Sequence, residues 1–419
     1  MKILLMSIGT RGDMEPFLAA GELLSAHGHH VEYAFPEQFG PLVPAGGHFH
    51  PLDRSFVELM ESDAGKTVMG GGGGQLKRIK ALLHLYRMGM KVNDQLVRDQ
   101  ARIVDEVQPD MIIHHAKCNY PVIWSLAGGG ENVLLSPVPY FLHTDERHAH
   151  VGINIKAGKA FNRFSYKLAN GGLSKTIYES QEQLPEKERF SKQEIMSQML
   201  DTRLALTISP ALYQPPADFP AHVQVAGYYE RNKMVDWQAD DELLQFLDRH
   251  PKIVLLTFGS MIRSDAERMS RICYETLNEA GAAVLVNTSS GGLLCLPEYA
   301  AMDNFHFVDR IPYDWVMSRV YAAIHHGGSG TTHSSLKAGC ATLIIPHIID
   351  QFVWRDIVYA NGCGPEGVKA GSITKAKLSP LVKDLLHNAA YKQKAEKLGK
   401  QMTEEADSEK LVRFITGQP

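Results

Sequence analysis

The sequence predicts an α/β fold built as two doubly wound domains facing an interdomain cleft. Three observations carry this. The chain has 419 residues, more than one ordinary core accommodates. Both halves open with the same strand, glycine turn, helix, strand pattern. A proline-bearing polar stretch, Gln214–Asp240, with Pro215, Pro216 and Pro220, separates them and reads as a linker. The boundary is set near residue 235, giving domains 1–234 and 235–419.

In the first half, the apolar run Lys2–Ile8 reads as a strand and ends at the turn Gly9-Thr10-Arg11-Gly12-Asp13. Glu15–Gly28 places Phe17, Leu18, Leu23 and Leu24 at helical spacing, and Val31–Phe35 reads as the next strand. The second half repeats this with Lys252–Phe258, the turn Gly259-Ser260, the helix Ala266–Ala280 and the strand Ala283–Asn287. Neither turn carries G-x-G-x-x-G, which argues against a nicotinamide or flavin site. Ligands of open α/β sheets sit beyond the carboxyl ends of the strands, where both turns lie.

Between these openings, Gly70–Gly74 is a run of five glycines and reads as a mobile loop, with a flap over a ligand as the sharper alternative. Gln75–Val107 follows with helical period. Its basic residues, Lys77, Arg78, Lys80, Arg87 and Lys91, suit an amphipathic helix packed on its own domain better than one lying on a membrane.

The most informative stretch is His325-His326-Gly327-Gly328-Ser329-Gly330-Thr331-Thr332-His333, followed by Asp350-Gln351. It leaves the apolar run Val320–Ile324 and enters a helix, a layout that cradles phosphate. Glycine lets backbone approach an anion, and amides at a helix N-terminus favour negative charge. The lysine of G-x-x-x-x-G-K-[ST] is absent, which disfavours simple ATP or GTP hydrolysis. Diphosphate held without that lysine points to a nucleotide-sugar.

Composition narrows the class. The content is 44% hydrophobic and 21% charged, that of a globular protein, and the formal net charge of -4 lacks the basic excess of a nucleic-acid surface. Five cysteines stand singly, without C-x-x-C, and read as reduced core residues. The start lacks a secretory signal pattern and no apolar run approaches the ~20 residues that span a bilayer, so the expected setting is cytoplasmic, without stable membrane insertion. Nineteen histidines show no H-E-x-x-H or comparable spacing, so no metal is expected.

These residues resemble the inverting, nucleotide-sugar-dependent glycosyltransferases of the GT-B fold that modify sterols, flavonoids and glycopeptide antibiotics. The resemblance rests on Gly9–Pro16 (GTRGDMEP), Thr257–Ser260 (TFGS) and the block His325–Gln351, ending IPHIIDQ. It spans nearly the whole chain and implies two Rossmann-like domains, the first binding acceptor and the second nucleotide-sugar. It further implies that His326 contacts the diphosphate, with Gly328 and the groups of Ser329, Gly330 and Thr331 completing the cradle and Gly259 and Ser260 facing it. Arg310 and Ile311 align with the segment that reads the base; many relatives have tryptophan where Arg310 stands. Ser334 stands where plant relatives have a ribose-binding glutamate, which leaves ribose recognition unassigned. Asp350 and Gln351 match the pair that holds sugar hydroxyls.

For chemistry, Asp13 in the G-D-x-x-P pattern is the candidate base toward the acceptor hydroxyl. Its structural alternative is N-capping of the first helix. Glu15 reads equally well as a partner of the first helical turn. Thr10, His114, His115, Pro139, Tyr140 and Phe141 are the expected acceptor pocket, whose aromatic residues favour a flat apolar molecule. The implied reaction moves glucose or rhamnose from a UDP- or dTDP-sugar, a co-substrate and not a cofactor, to a phenol such as a flavonoid. Three alternatives stay open: a sterol or lipid glycosyltransferase at a membrane surface, a nucleotide-sugar 2-epimerase, and a catalytically silent binding protein.

Overall fold

The computed structural model describes residues 1–65, 75–153, 155–231, 237–259, 261–289, 291–405 and 407–417. The glycine tract, Ser260 and residues 232–236 at the expected boundary lie outside the described residues, as do the side chains of Lys77 and Arg78. The chain divides into two compact units, one formed by Met1–Ser62, Leu83–Arg231 and Ala406–Pro419, the other by Asp63–Leu82 and Asn232–Glu405.

The first unit runs β1 (Lys2–Met6), α1 (Arg11–Ala26), β2 (His30–Pro36), β3 (His48–Leu52), α2 (Ser55–Glu61), α3 (Gln75–Val107, whose start belongs to the other unit), β4 (Met111–His114), α4 (Tyr120–Leu126), β5 (Glu131–Ser136), α5 (Lys159–Ser180), α6 (Lys192–Asp201), β6 (Arg203–Leu206) and β7 (Val223–Val225). Its seven strands lie in the order β3-β2-β1-β4-β5-β6-β7, all parallel. β1 is buried on both faces, as a parallel sheet covered by helices requires. Ile3 and Leu5 join Met14, Phe17 and Leu18 of α1 in one apolar cluster.

The second unit runs α7 (Asp241–Arg249), β8 (Ile253–Thr257), α8 (Ala266–Glu279), β9 (Ala283–Asn287), α9 (Pro297–Ala300), β10 (Phe305–Val308), α10 (Tyr313–Val316), β11 (Ala322–His325), α11 (Ser329–Lys337), β12 (Ala341–Ile344), α12 (Gln351–Ala360), α13 (Lys375–His387) and α14 (Ala389–Glu404). Its five parallel strands lie in the order β10-β9-β8-β11-β12.

The last helix, α15 (Ser408–Thr416), departs from the domain limits read off the sequence, which carried the second domain to residue 419. Its Leu411, Val412 and Ile415 are buried in the cluster that holds Phe17 and Leu18, and Arg203 donates to the carbonyl of Phe414 at 3.1 Å. The apolar spacing of this helix specifies a face to bury; it does not specify the core that receives it.

Each sheet reverses its winding once. In the first unit the chain builds outward from β1 to β2 and β3, then returns to place β4 on the other side of β1. In the second, β8 has β9 on one side and β11 on the other. At such a reversal the loops after the two central strands turn opposite ways and leave a crevice for a ligand. Met6 pairs with His114 across the first reversal, and Thr257 with His325 across the second. Thr10, Asp13, His115, Gly259 and His326 lie in the segments that follow these four positions.

Candidate functional site

In the first unit, Gly9 follows β1 with φ +143°, a backbone region that favours glycine. A Cβ there would meet Asp13 Oδ2 at 2.2 Å and Lys117 Nζ at 2.7 Å, so glycine leaves the space these charged groups occupy. Thr10 is the N-cap of α1 and Asp13 is the third residue of its first turn. The Asp13 carboxylate accepts from the Thr10 amide at 2.6 Å and the Thr10 hydroxyl at 3.0 Å. Asp13 therefore does the work of a helix-capping residue.

It also faces β4. Lys117 Nζ donates to Asp13 Oδ1 at 3.0 Å, and His115 Nε2 lies 3.5 Å from the same oxygen. Burial opposes ionisation of Asp13, but Lys117, His115 and the Thr10 amide outweigh it and hold the carboxyl below its ordinary value. Burial, with Lys117 second, depresses His115 to about 3, so its imidazole is neutral. His115 Nδ1 accepts from the Lys117 backbone amide at 3.2 Å, which places the ring proton on Nε2, toward Asp13.

The two neighbouring histidines thus separate. His114 is buried, with Nε2 3.3 Å from Asn132 Oδ1 and Nδ1 3.2 Å from the carbonyl of His115, and its neutral ring donates to one of these two oxygens. His115 is the one beside Asp13. Glu15 is a structural anchor, paired with Arg11 at 3.0 Å and Arg231 at 2.9 Å.

Pro139 and Tyr140 are buried and Phe141 is half-buried in the loop after β5. Tyr140 adopts φ +59°, stacks on His148 at 4.2 Å and meets Tyr213 edge-on at 5.4 Å. α5 holds this loop from behind: Asn162 donates to the carbonyl of Glu146 at 2.8 Å and Asn170 to that of Leu142 at 2.8 Å.

In the second unit, Gly259 follows β8 with φ +55° and His326 follows β11. A Cβ on Gly259 would lie 2.8 Å from His326 Cε1, and one on Gly328 would lie 2.5 Å from His326 Nε2. Two glycines of the sequence motifs therefore make room for one imidazole. Gly328 is the N-cap of α11, whose first residues are Ser329, Gly330 and Thr331, and the first amides of a helix have no acceptor within it. Thr331 is buried; the Thr332 hydroxyl donates to the carbonyl of Gly328 at 2.9 Å.

Burial depresses His326 to about 4, so its imidazole is neutral. His326 Nδ1 is buried without a hydrogen-bond partner among the described residues. His325 has turned inward: Gly327 N donates to its Nδ1 at 3.0 Å and its ring is wholly buried.

The segment expected to read the base divides. Arg310 is exposed, whereas Ile311 is buried in the cluster with Leu243 and Phe246. Just beyond, Tyr313 OH lies 2.9 Å from Thr257 Oγ1, which accepts from Gly259 N at 3.2 Å. This ties the segment to the glycine turn.

Asp350 and Gln351 have different surroundings. Asp350 is half-buried at the start of α12 and makes no side-chain cap to it. Gln351 is buried, its Oε1 accepting from the amides of His347 at 2.8 Å and Ile348 at 3.2 Å, and its Nε2 3.4 Å from Met261 Sδ. Its amide oxygen holds its own loop.

Sequence reasoning missed Lys117, Arg263 and His347. Arg263 is buried and paired with Asp265. His347 packs edge-on against Phe258 at 5.0 Å, and its Nε2 is buried without a partner among the described residues. The available signal was position: each lies within a few residues of a motif glycine, histidine or glutamine. Among the described residues no group of three or more His, Cys, Asp or Glu is gathered to hold a metal ion, and no helix is long and apolar enough to cross a membrane.

Comparison with known proteins bears on this arrangement. The family described as Erythromycin biosynthesis protein CIII-like, C-terminal domain, matches residues 289–415, which contain the His326 loop and Asp350. The sterol 3-beta-glucosyltransferase UGT80A2 of Arabidopsis thaliana is 28% identical over 97% of this chain and 63% of its own length. That of Aspergillus clavatus is 27% identical over 87% of this chain and 26% of its own. The chain is thus similar to sterol glucosyltransferases over most of its length.

Solved structures agree on the fold. The calicheamicin glycosyltransferase CalG4 superposes with a TM-score of 0.70 at 14% identity, covering 100% of this chain and 98% of that one. The glycosyltransferase VinC, solved in complex with dTDP, gives 0.66 at 16% identity over 100% of both chains. Both are GT-B structures, and the two parallel-sheet units here are of that class. The chain spans less than two thirds of the length of the curated sterol glucosyltransferases it matches.

Proposed function

We propose that the protein is an inverting O-glycosyltransferase that moves a hexose from a UDP- or dTDP-sugar to a hydroxyl of a small apolar acceptor, working in the cytoplasm. The observation that carries this reading is the seat of His326 between Gly259 and Gly328 at the N-terminus of α11. Neutral imidazole, helix amides and glycine backbone together make a site for a diphosphate that needs no lysine. Structural neighbours support the donor class: VinC was solved with dTDP and SsfS6 with thymidine diphosphate.

In this reading Asp13 takes the proton of the acceptor hydroxyl as the oxygen attacks the anomeric carbon. The bond from that carbon to the diphosphate oxygen breaks, and the nucleoside diphosphate departs with the bonding pair, its charge met by His326 and the α11 amides. Asp350 holds hydroxyls of the transferred sugar. The preferred acceptor is a flavonoid or other phenol, whose pKa of about 10 suits a weak carboxylate base, and the sugar is glucose or rhamnose. A second reading, transfer of glucose to a sterol at a membrane surface, is favoured by the sterol 3-beta-glucosyltransferases among the relatives.

A donor-by-acceptor screen read by mass spectrometry tests both. Uridine- and thymidine-diphosphate sugars are paired with a flavonol, a simple phenol and a sterol. A hexose or deoxyhexose mass added to the acceptor supports transfer. Donor epimerised without any acceptor would replace it with a 2-epimerase.

A further inference from the structure

The Asp13 carboxylate is fully occupied. A carboxylate offers about four acceptor directions. Oδ2 takes the amide and the hydroxyl of Thr10, while Oδ1 takes Lys117 Nζ and faces the protonated Nε2 of His115. An acceptor hydroxyl that gives its proton to Asp13 has to displace one of these donors first.

The four are not equally movable. The Thr10 amide is backbone at the start of α1. His115 is pinned through Nδ1 to the Lys117 amide, and its ring meets Phe17 edge-on at 6.3 Å. The Thr10 hydroxyl shares Oδ2 with the amide 2.6 Å away, so its rotation frees an already crowded oxygen. Lys117 reaches Oδ1 on a flexible stem, and its side chain is 38% exposed. It also has a second seat: the Phe56 ring of α2 lies 5.4 Å from Nζ, at a distance where a cation is attracted to a ring face.

We propose that Lys117 is a positioning residue that occupies the acceptor hydroxyl's place on Asp13 Oδ1 and yields it, toward Phe56, when acceptor binds. This rests on the reading of Asp13 as the base. Lys117 orients the carboxylate at rest and keeps it ionised, and its withdrawal leaves a free lone pair aimed at the incoming hydroxyl. The charged or titratable groups around Asp13 are Lys117 and His115 after β4, with the Cys118 thiol adjoining them and bonded to the carbonyl of Met6 at 3.5 Å. Arg11 and Glu15 of α1 are paired with each other.

The test uses the full chain with Lys117→Met, Lys117→Gln and Lys117→Arg, each first checked for an unchanged melting transition. Acceptor binding is measured by fluorescence titration without donor, so that it does not depend on turnover. Lys117→Met and Lys117→Gln should tighten acceptor binding and lower acceptor KM by roughly tenfold or more, the worth of a charged hydrogen bond no longer displaced. The acid limb of kcat/KM should move to higher pH, because Asp13 has lost a cation. Lys117→Arg should restore the wild-type values. Weakened acceptor binding in Lys117→Met, or an unmoved acid limb with unchanged KM, would overturn the proposal. Asp13→Asn separates the two readings: full turnover in that variant defeats the base assignment, whereas the binding titration of the Lys117 variants judges the displacement alone.

Discussion

The imidazole of His326 occupies the space that a side chain on Gly259 would need: a Cβ there would stand 2.8 Å from its Cε1. The two residues are 67 positions apart and meet because Thr257 and His325 are register partners in adjacent parallel strands. The turn after β8 and the loop after β11 are thus fitted to each other, and the fit depends on glycine at one of them.

Gly259→Ala should therefore act on the cradle more than on the fold. It adds a side chain at φ +55° and pushes the ring from its seat. Nucleoside diphosphate binding, measured by calorimetry, should weaken by about tenfold or more, while the backbone strain of order 1 kcal/mol lowers the melting temperature only slightly. Unchanged affinity would mean that His326 does not meet the diphosphate.

Asp13→Asn keeps an oxygen for the Thr10 amide and removes the base. Turnover should fall by about a hundredfold or more, with donor affinity nearly unchanged. Near-normal turnover would leave Asp13 as a helix cap and not the base.

Asp350 and Gln351 should separate on substitution. Losing a charged hydrogen bond costs roughly 1.5–3 kcal/mol, so Asp350→Ala should weaken intact nucleotide-sugar by about tenfold or more and free nucleoside diphosphate by no more than about twofold. Gln351→Ala strips the acceptor from two loop amides and costs about 1–3 kcal/mol of folding free energy. Its melting temperature should fall and both ligands should bind less well. Equal losses for the two ligands in Asp350→Ala would remove the sugar contact.

What the sequence disclosed follows from what is local. The two openings, the glycine turns and the helix start after His326 depend on turn chemistry and apolar period, which neighbouring residues set. Lys117 escaped notice because its partner lies 104 positions away and is brought to it only by the pairing of β1 with β4. Gln351 carried a recognisable motif, yet its oxygen turns back to His347 and Ile348, a choice made by the loop's own unpaired amides. α15 showed a helical apolar face without showing that the core around Phe17 would bury it.

Acid should unfold the protein through its buried histidines. Burial holds His114, His143, His150 and His326 at about 4, below the ordinary 6.5, while the unfolded chain takes up these protons near 6.5. Stability is therefore lost as pH falls from about 6.5 toward 4. Asp13, held below 3.8, adds a contribution lost at still lower pH. Scanning calorimetry should give a melting temperature nearly level above about pH 7 and falling steadily below 6.5; a level profile down to about pH 4.5 would contradict burial of neutral imidazoles.

The central claim is a single displacement at the anomeric carbon, with Asp13 taking the proton and the His326 loop receiving the diphosphate. The anomeric proton of the purified product, read by NMR after transfer from an α-linked nucleotide-glucose, tests it most directly. The account predicts a β-glucoside, identified by its large anomeric coupling, formed by the wild type and nearly lost in Asp13→Asn. An α-glucoside would contradict it.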